Sequence, residues 1–183
     1  VKRLIPLFVG GLLAAIVTPT ASADVAQSSD VAQNSGVAVT VARFATPDTA
    51  TKAYTYDTAL IASGAAVMVV ATPVRRSTKT LLSVYGLVPN RTYGAHAHQR
   101  PCGAMATDAG AHHQHVVDPN QPSVDPAYAT TDDRGRAVVG AVVPWRFADR
   151  RAGSVVIHAQ RTATEPGKAG TAGPRVGCAT VLF

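Results

Sequence analysis

The sequence predicts an all-β fold, a sandwich or barrel of short strands, on three observations. Short segments rich in Val, Thr and Tyr recur along the chain, and Pro, Gly, Asn and Asp punctuate them at near-regular spacing. No stretch carries the apolar period of an amphipathic helix. In chain order the strand candidates are VAVTVARF (37–44), KAYTYDT (52–58), AAVMVVAT (65–72), TKTLLSVYGL (78–87), RAVVGAVVPW (136–145), SVVIHAQ (154–160) and VGCATVLF (176–183). VPNRTYG, DDRG and TEPGKAGTAGP are the turn segments. The two longest non-strand stretches, about 99–127 and 160–175, are where long loops on a β scaffold would carry function.

The first residues have a different logic. Lys2 and Arg3 precede an apolar run from Leu4 to Val17, and Ala21-Ser22-Ala23 follows. This is the layout of a secretory signal peptide over 1–23. The run is shorter than the roughly 20 residues of a spanning helix, so an uncleaved anchor is the lesser alternative and no membrane span is expected after cleavage. Residues 24–36, mostly Ser, Ala, Gln, Asn and Asp, are expected to be a flexible leader, and 37–183 a single domain. The chain is expected to be secreted or held in the cell envelope.

The formal charge of +6 falls to about +4 without Lys2 and Arg3. The cations form no dense run and do not alternate with aromatics, which argues against a nucleic-acid partner. A mild positive excess suits a small anion. The two cysteines, Cys102 and Cys178, in an exported chain favour one disulfide over two free buried thiols.

The segment GAHAHQRPCGAMATDAGAHHQHVVDP (94–119) holds all the histidines but His158. On a strand, His96 and His98 of HAH share one face, while Tyr93, Ala95 and Ala97 take the other. Two imidazoles on one face can share a metal, or be a surface alternation with no role. His158 interrupts the apolar SVVIHA and needs partners for its ring nitrogens, a backbone carbonyl being the plain solution. AGAHHQH is either a metal-binding or a solvent-exposed loop. Four imidazoles with no cysteine-pair ligand motif suit copper better than zinc.

Taken in order, these motifs resemble the Cu,Zn superoxide dismutases over nearly all of 37–183. VYGLVPNRTYGAHAH is similar to that family's strand-turn-strand leading into a G-x-H-x-H copper motif, which puts His96 and His98 at two copper-ligand positions. HQRPC places Cys102 at the loop half of the family's disulfide. AGAH (109–112) is similar to its A-G-G-H loop and SVVIHA to the strand with the last ligand, which gives His112 and His158. GTAGPRVGCATV resembles the closing motif that supplies the active-site arginine, Arg175, and the second disulfide cysteine, Cys178.

The departures from that pattern concern zinc. After His112 the family carries two further histidines and an aspartate as zinc ligands. Here only His115 follows closely, with Asp118 and Asp125 behind it, and His113 stands at a position that is usually aromatic. The carboxylate that links copper and zinc ligands is missing, since the residue four past His158 is Thr162. The pattern resembles the copper-only members, and zinc is not expected; a rebuilt zinc site would need His112, His115 and Asp118 or Asp125.

The resemblance implies a Greek-key β-barrel or flattened β-sandwich with copper on His96, His98, His112 and His158. It implies dismutation of superoxide to O₂ and H₂O₂ by cycling Cu(II) and Cu(I), with Arg175 guiding the anion. Without zinc, an acceptor must orient the ligand rings; Asp125 is the first candidate, ahead of Asp118 and Asp108. The alternatives are a non-catalytic secreted copper-binding or buffering protein on the same fold, and an interaction module with an incidental histidine cluster. Nothing in the sequence fixes the oligomeric state.

Overall fold

Period-two alternation builds both layers of the molecule. The computed structural model describes residues 36–116, 127–147 and 150–183. These form nine strands: β1 (Ala38–Arg43), β2 (Ala53–Thr55), β3 (Ile61–Val74), β4 (Ser77–Leu87), β5 (Thr92–His98), β6 (Ala127–Thr130), β7 (Arg136–Val143), β8 (Ser154–His158) and β9 (Arg175–Thr180). There is no helix among the described residues, and so none long and apolar enough to cross a membrane. The segments 1–23 and 24–35, together with Asp118 and Asp125, lie outside the described residues.

The strands pair antiparallel into two sheets, ordered β1-β3-β4-β7 and β2-β9-β8-β5-β6. The chain leaves the first sheet after β4 and returns at β7, beside β4, while β5 and β6 pair in the second sheet. That return is the Greek-key crossover. The sheets do not close into a barrel; the flattened sandwich is the form adopted. At the β1 edge they are linked by local contacts, the Thr40 hydroxyl donating to the Thr180 carbonyl at 2.9 Å and a bridge between Ala45 and Tyr54. A barrel would need a continuous ladder there.

The core lies between the sheets, with Phe44, Ile61, Val67, Val69, Tyr93, Val176 and Val181 almost fully buried. The second sheet is buried on its far face too, where Val156 and Cys178 pack under Ala109 of the 99–112 loop. The histidines sit on this covered outer face.

Three elements depart from the sequence reading. β5 starts at Thr92, inside VPNRTYG, a segment expected to be a turn; only its HAH end is considered as a strand from sequence. β3 starts earlier than expected, at Ile61, because a register irregularity between Ile61 and Ala66 lets a Gly-containing stretch join the ladder. β6 is an added strand of four residues, formed by pairing Thr92–Ala95 with 127–130.

Candidate metal centre

Register brings the histidines together. On β5, His96 and His98 point outward, opposite the inward Tyr93 and Ala95. β8 pairs beside it, Gly94 against His158 and His96 against Val156, which sets His158 diagonally next to His96 on the same face. His112 reaches them from the loop, where a bridge pairs it with His98. One ring nitrogen from each of His96, His98, His112 and His158 lies within 4.8 Å of the others.

Hydrogen bonds decide which nitrogens are free. His98 Nδ1 donates to the Gly110 carbonyl and His158 Nδ1 to the Gly173 carbonyl, both at 3.0 Å. A carbonyl only accepts, so in each neutral ring Nε2 carries the lone pair. Both of these Nε2 atoms are buried without a hydrogen-bond partner. His96 turns the other way: its Nε2 meets the Thr162 hydroxyl at 2.8 Å, and its Nδ1 lies 3.2 Å from His112 Nε2. Burial, with repulsion from neighbouring rings, holds His96 down to about 3 and His98 to about 2. Burial also holds His158 down to about 4. These three rings are therefore neutral at pH 7, with lone pairs available. Orphaned buried acceptors in a nitrogen-only cluster are what a bound cation would satisfy.

Thr162 is the residue whose role sequence reasoning missed. The sequence singles it out only for lacking a carboxylate, yet it is 2% exposed and holds His96. Gly94 makes room for this contact. A Cβ on it would stand 2.6 Å from Ala172 Cβ and 2.9 Å from Thr162 Oγ1, so only glycine lets that loop lie on β5. Thr162→Val keeps the volume and deletes the hydroxyl. It is expected to lower affinity about 10-fold in chelator competition with copper, while Thr162→Ser retains it. Equal affinity in Thr162→Val would remove Thr162 from the site.

Arg175 stands at the edge of the cluster, lining an open cleft with His112, His158 and Thr107. Its Nη1 donates to the Ala106 carbonyl at 2.8 Å and its Nη2 to the Gly110 carbonyl at 2.7 Å. Strict alternation would place Arg175 and Cys178 on opposite faces of β9. A bulge resolves this: Ile157 pairs with Gly177 and His158 with Arg175, leaving Val176 as the extra residue, turned into the core. Cys178 is thus free to bridge to Cys102, with Cα atoms 5.8 Å apart.

The other sequence candidates fall elsewhere. His113 is 1% exposed, bonds the Arg150 carbonyl through Nε2 at 2.8 Å and packs on Phe147, which is a core role. His115 lies flat on Trp145 with ring centroids 5.1 Å apart. Neither belongs to the four-histidine group. The carboxylate of Asp108, the last of the three aspartates considered for orienting a ligand ring, accepts from the Met105 amide at 2.9 Å and shapes the loop near Gly103.

No protein-family model and no curated protein matches the sequence. Among solved structures, the fold is similar to that of a double mutant of a SOD-like protein from Bacillus subtilis. The TM-score is 0.51 at 18% identity, over 66% of this chain and 92% of that one. At that identity the likeness concerns the fold. In architecture the chain is similar to a SOD-like β-sandwich protein, and on that sandwich it carries a disulfide and a four-histidine group able to hold a metal ion.

Proposed function

We propose that this chain is an exported copper-dependent superoxide dismutase, working without zinc. The observation that carries the reading is a fixed guanidinium beside four converging imidazoles in a cleft open to solvent. An all-imidazole set binds copper in both of its oxidation states. His96 would offer Nδ1, and His98, His112 and His158 would offer Nε2. Copper, when bound, supplies the one-electron acceptor for one superoxide and the donor for the next, so that two superoxides and two protons give O₂ and H₂O₂.

The protein's own contribution is position and charge. The carbonyls of Gly110 and Gly173 keep the His98 and His158 rings from rotating. Arg175 is a permanent cation whose two terminal nitrogens are pinned, so it meets an arriving anion without having to be ordered first. The positive net charge of the chain favours the approach of superoxide and is screened by salt.

The same two carbonyl bonds favour a second reading, in which Arg175 only braces the loop and the protein binds copper without turnover. Copper-loaded wild type and Arg175→Ala separate the two. We expect the variant to keep its copper and to lose dismutation about 10-fold at low ionic strength, and the wild-type rate to fall as salt rises. An unchanged rate in the variant takes Arg175 out of the mechanism. A copper-replete wild type without dismutation leaves the copper-binding reading.

A further inference from the structure

The outer face of the four-stranded sheet lies on the opposite side of the sandwich from the histidines. Alternation along β1, β4 and β7 turns Val39, Val41, Leu81, Tyr85, Val138 and Val142 to solvent there. The register sets them in adjoining rows: Val41 and Val138 fall in one row across the sheet through Met68 and Ser83, and Val39 and Leu81 in the next through Val70. Val41 and Val138 are each 69% exposed and Val142 is 62% exposed. Contiguous apolar surface of this kind marks an interaction site, where single exposed valines would not.

The charge on this face indicates what it meets. No Asp or Glu occurs in β1, β3, β4 or β7, nor anywhere in 58–107. Arg43 and Lys79 are exposed on the face, and Arg75 and Arg76 at the β3–β4 turn next to the exposed Val74. Arg136 is also there, but it pairs with Asp132 at 2.9 Å. A second copy of the chain would set these cations against each other. An acidic polysaccharide would answer the cations and leave the valines in water. A bilayer with anionic headgroups answers both, and Tyr85 suits the interfacial depth.

We propose that the outer face of the β1-β3-β4-β7 sheet docks on an anionic lipid surface. The chain lies on the bilayer without crossing it, and the histidine cleft on the opposite sheet stays open to solvent.

The test is co-sedimentation of the full chain with phosphatidylcholine vesicles, alone or mixed with phosphatidylglycerol. Wild type is expected to pellet with the mixed vesicles only, and less in high salt. Two variants divide the contributions. Arg75→Glu with Arg76→Glu is expected to weaken binding about 10-fold or more. Val41→Thr, Val138→Thr and Val142→Thr together keep shape, β propensity and net charge; about 10-fold weaker binding is expected here too. This second variant is decisive, because the general basicity of the chain is untouched. If it does not fold to the wild-type circular dichroism, Val138→Thr alone replaces it, with a smaller loss expected. The proposal is overturned if wild type ignores the mixed vesicles, or if folded valine variants bind them as well as wild type. It is equally overturned if heparin captures wild type and valine variant alike while vesicles do not, or if wild type forms a dimer that the valine substitutions dissociate.

Discussion

His158→Ala protein is expected, on the copper site proposed above, to bind copper at least about 100-fold more weakly than wild type, since even groups that only orient a ligand are worth about 10- to 100-fold. His158 Nε2 is buried and unpartnered, aimed at the other ring nitrogens from a strand position that no neighbouring side chain can fill. His98→Ala should behave likewise, because His98 is fully buried and has the same arrangement, Nδ1 on a carbonyl and Nε2 free. Copper content after dialysis against a chelator measures the loss. His113→Ala supplies the contrast. Its ring is held by the Arg150 carbonyl and Phe147, so this variant should keep its copper and lose about 1–3 kcal/mol of stability. Copper retained in both His98→Ala and His158→Ala would refute the ligand assignment.

Removing the disulfide should have the next largest effect, on stability first and on the site second. Cys102 and Cys178 are separated by 76 positions, and closing a loop of that size is worth about 4–5 kcal/mol in the chain-entropy model. Cys102→Ser with Cys178→Ser is therefore expected to lower the free energy of unfolding by about 2–5 kcal/mol in denaturant titration. The loop should stay folded, since other bonds also hold it. Ser154 Oγ donates to the Arg100 carbonyl at 2.7 Å, and the Cys102 amide donates to Thr180 Oγ1 at 3.1 Å. Copper should bind more weakly because the tethered loop lies between His98 and His112. A denaturation midpoint unchanged by the double substitution would count against a stabilising bridge.

Short segments rich in Val, Thr and Tyr between turn residues made most of the fold legible. VAVTVARF and TKTLLSVYGL show in sequence the period that β1 and β4 show in exposure. Closure was not legible, because whether β1 joins the opposite sheet depends on the geometry between edges and not on any side-chain period. β6 was missed because a four-residue strand carries too little pattern of its own and takes its form from β5. In the site, the gathered histidines could be foreseen because each lies in its own short motif, His96, His98 and His158 on strands whose phase fixes the face. The supports could not. Two are backbone carbonyls, of Gly110 and Gly173, which have no residue type to read, and the third is a threonine noticed only for what it is not.

The Gly110 carbonyl has a consequence for tolerance. Gly110 has φ of +74°, a conformation natural to glycine, and this turns its oxygen toward both His98 Nδ1 and Arg175 Nη2. One atom is the datum from which ring and guanidinium are both measured. A displacement of that loop carries the two together, so their separation varies less than either position does. Error in the placement of the loop is thus common to both parts and largely cancels between them. The spacing between cation and imidazole is set by two short bonds to a shared oxygen, and not by errors accumulated along the chain from His98 to Arg175.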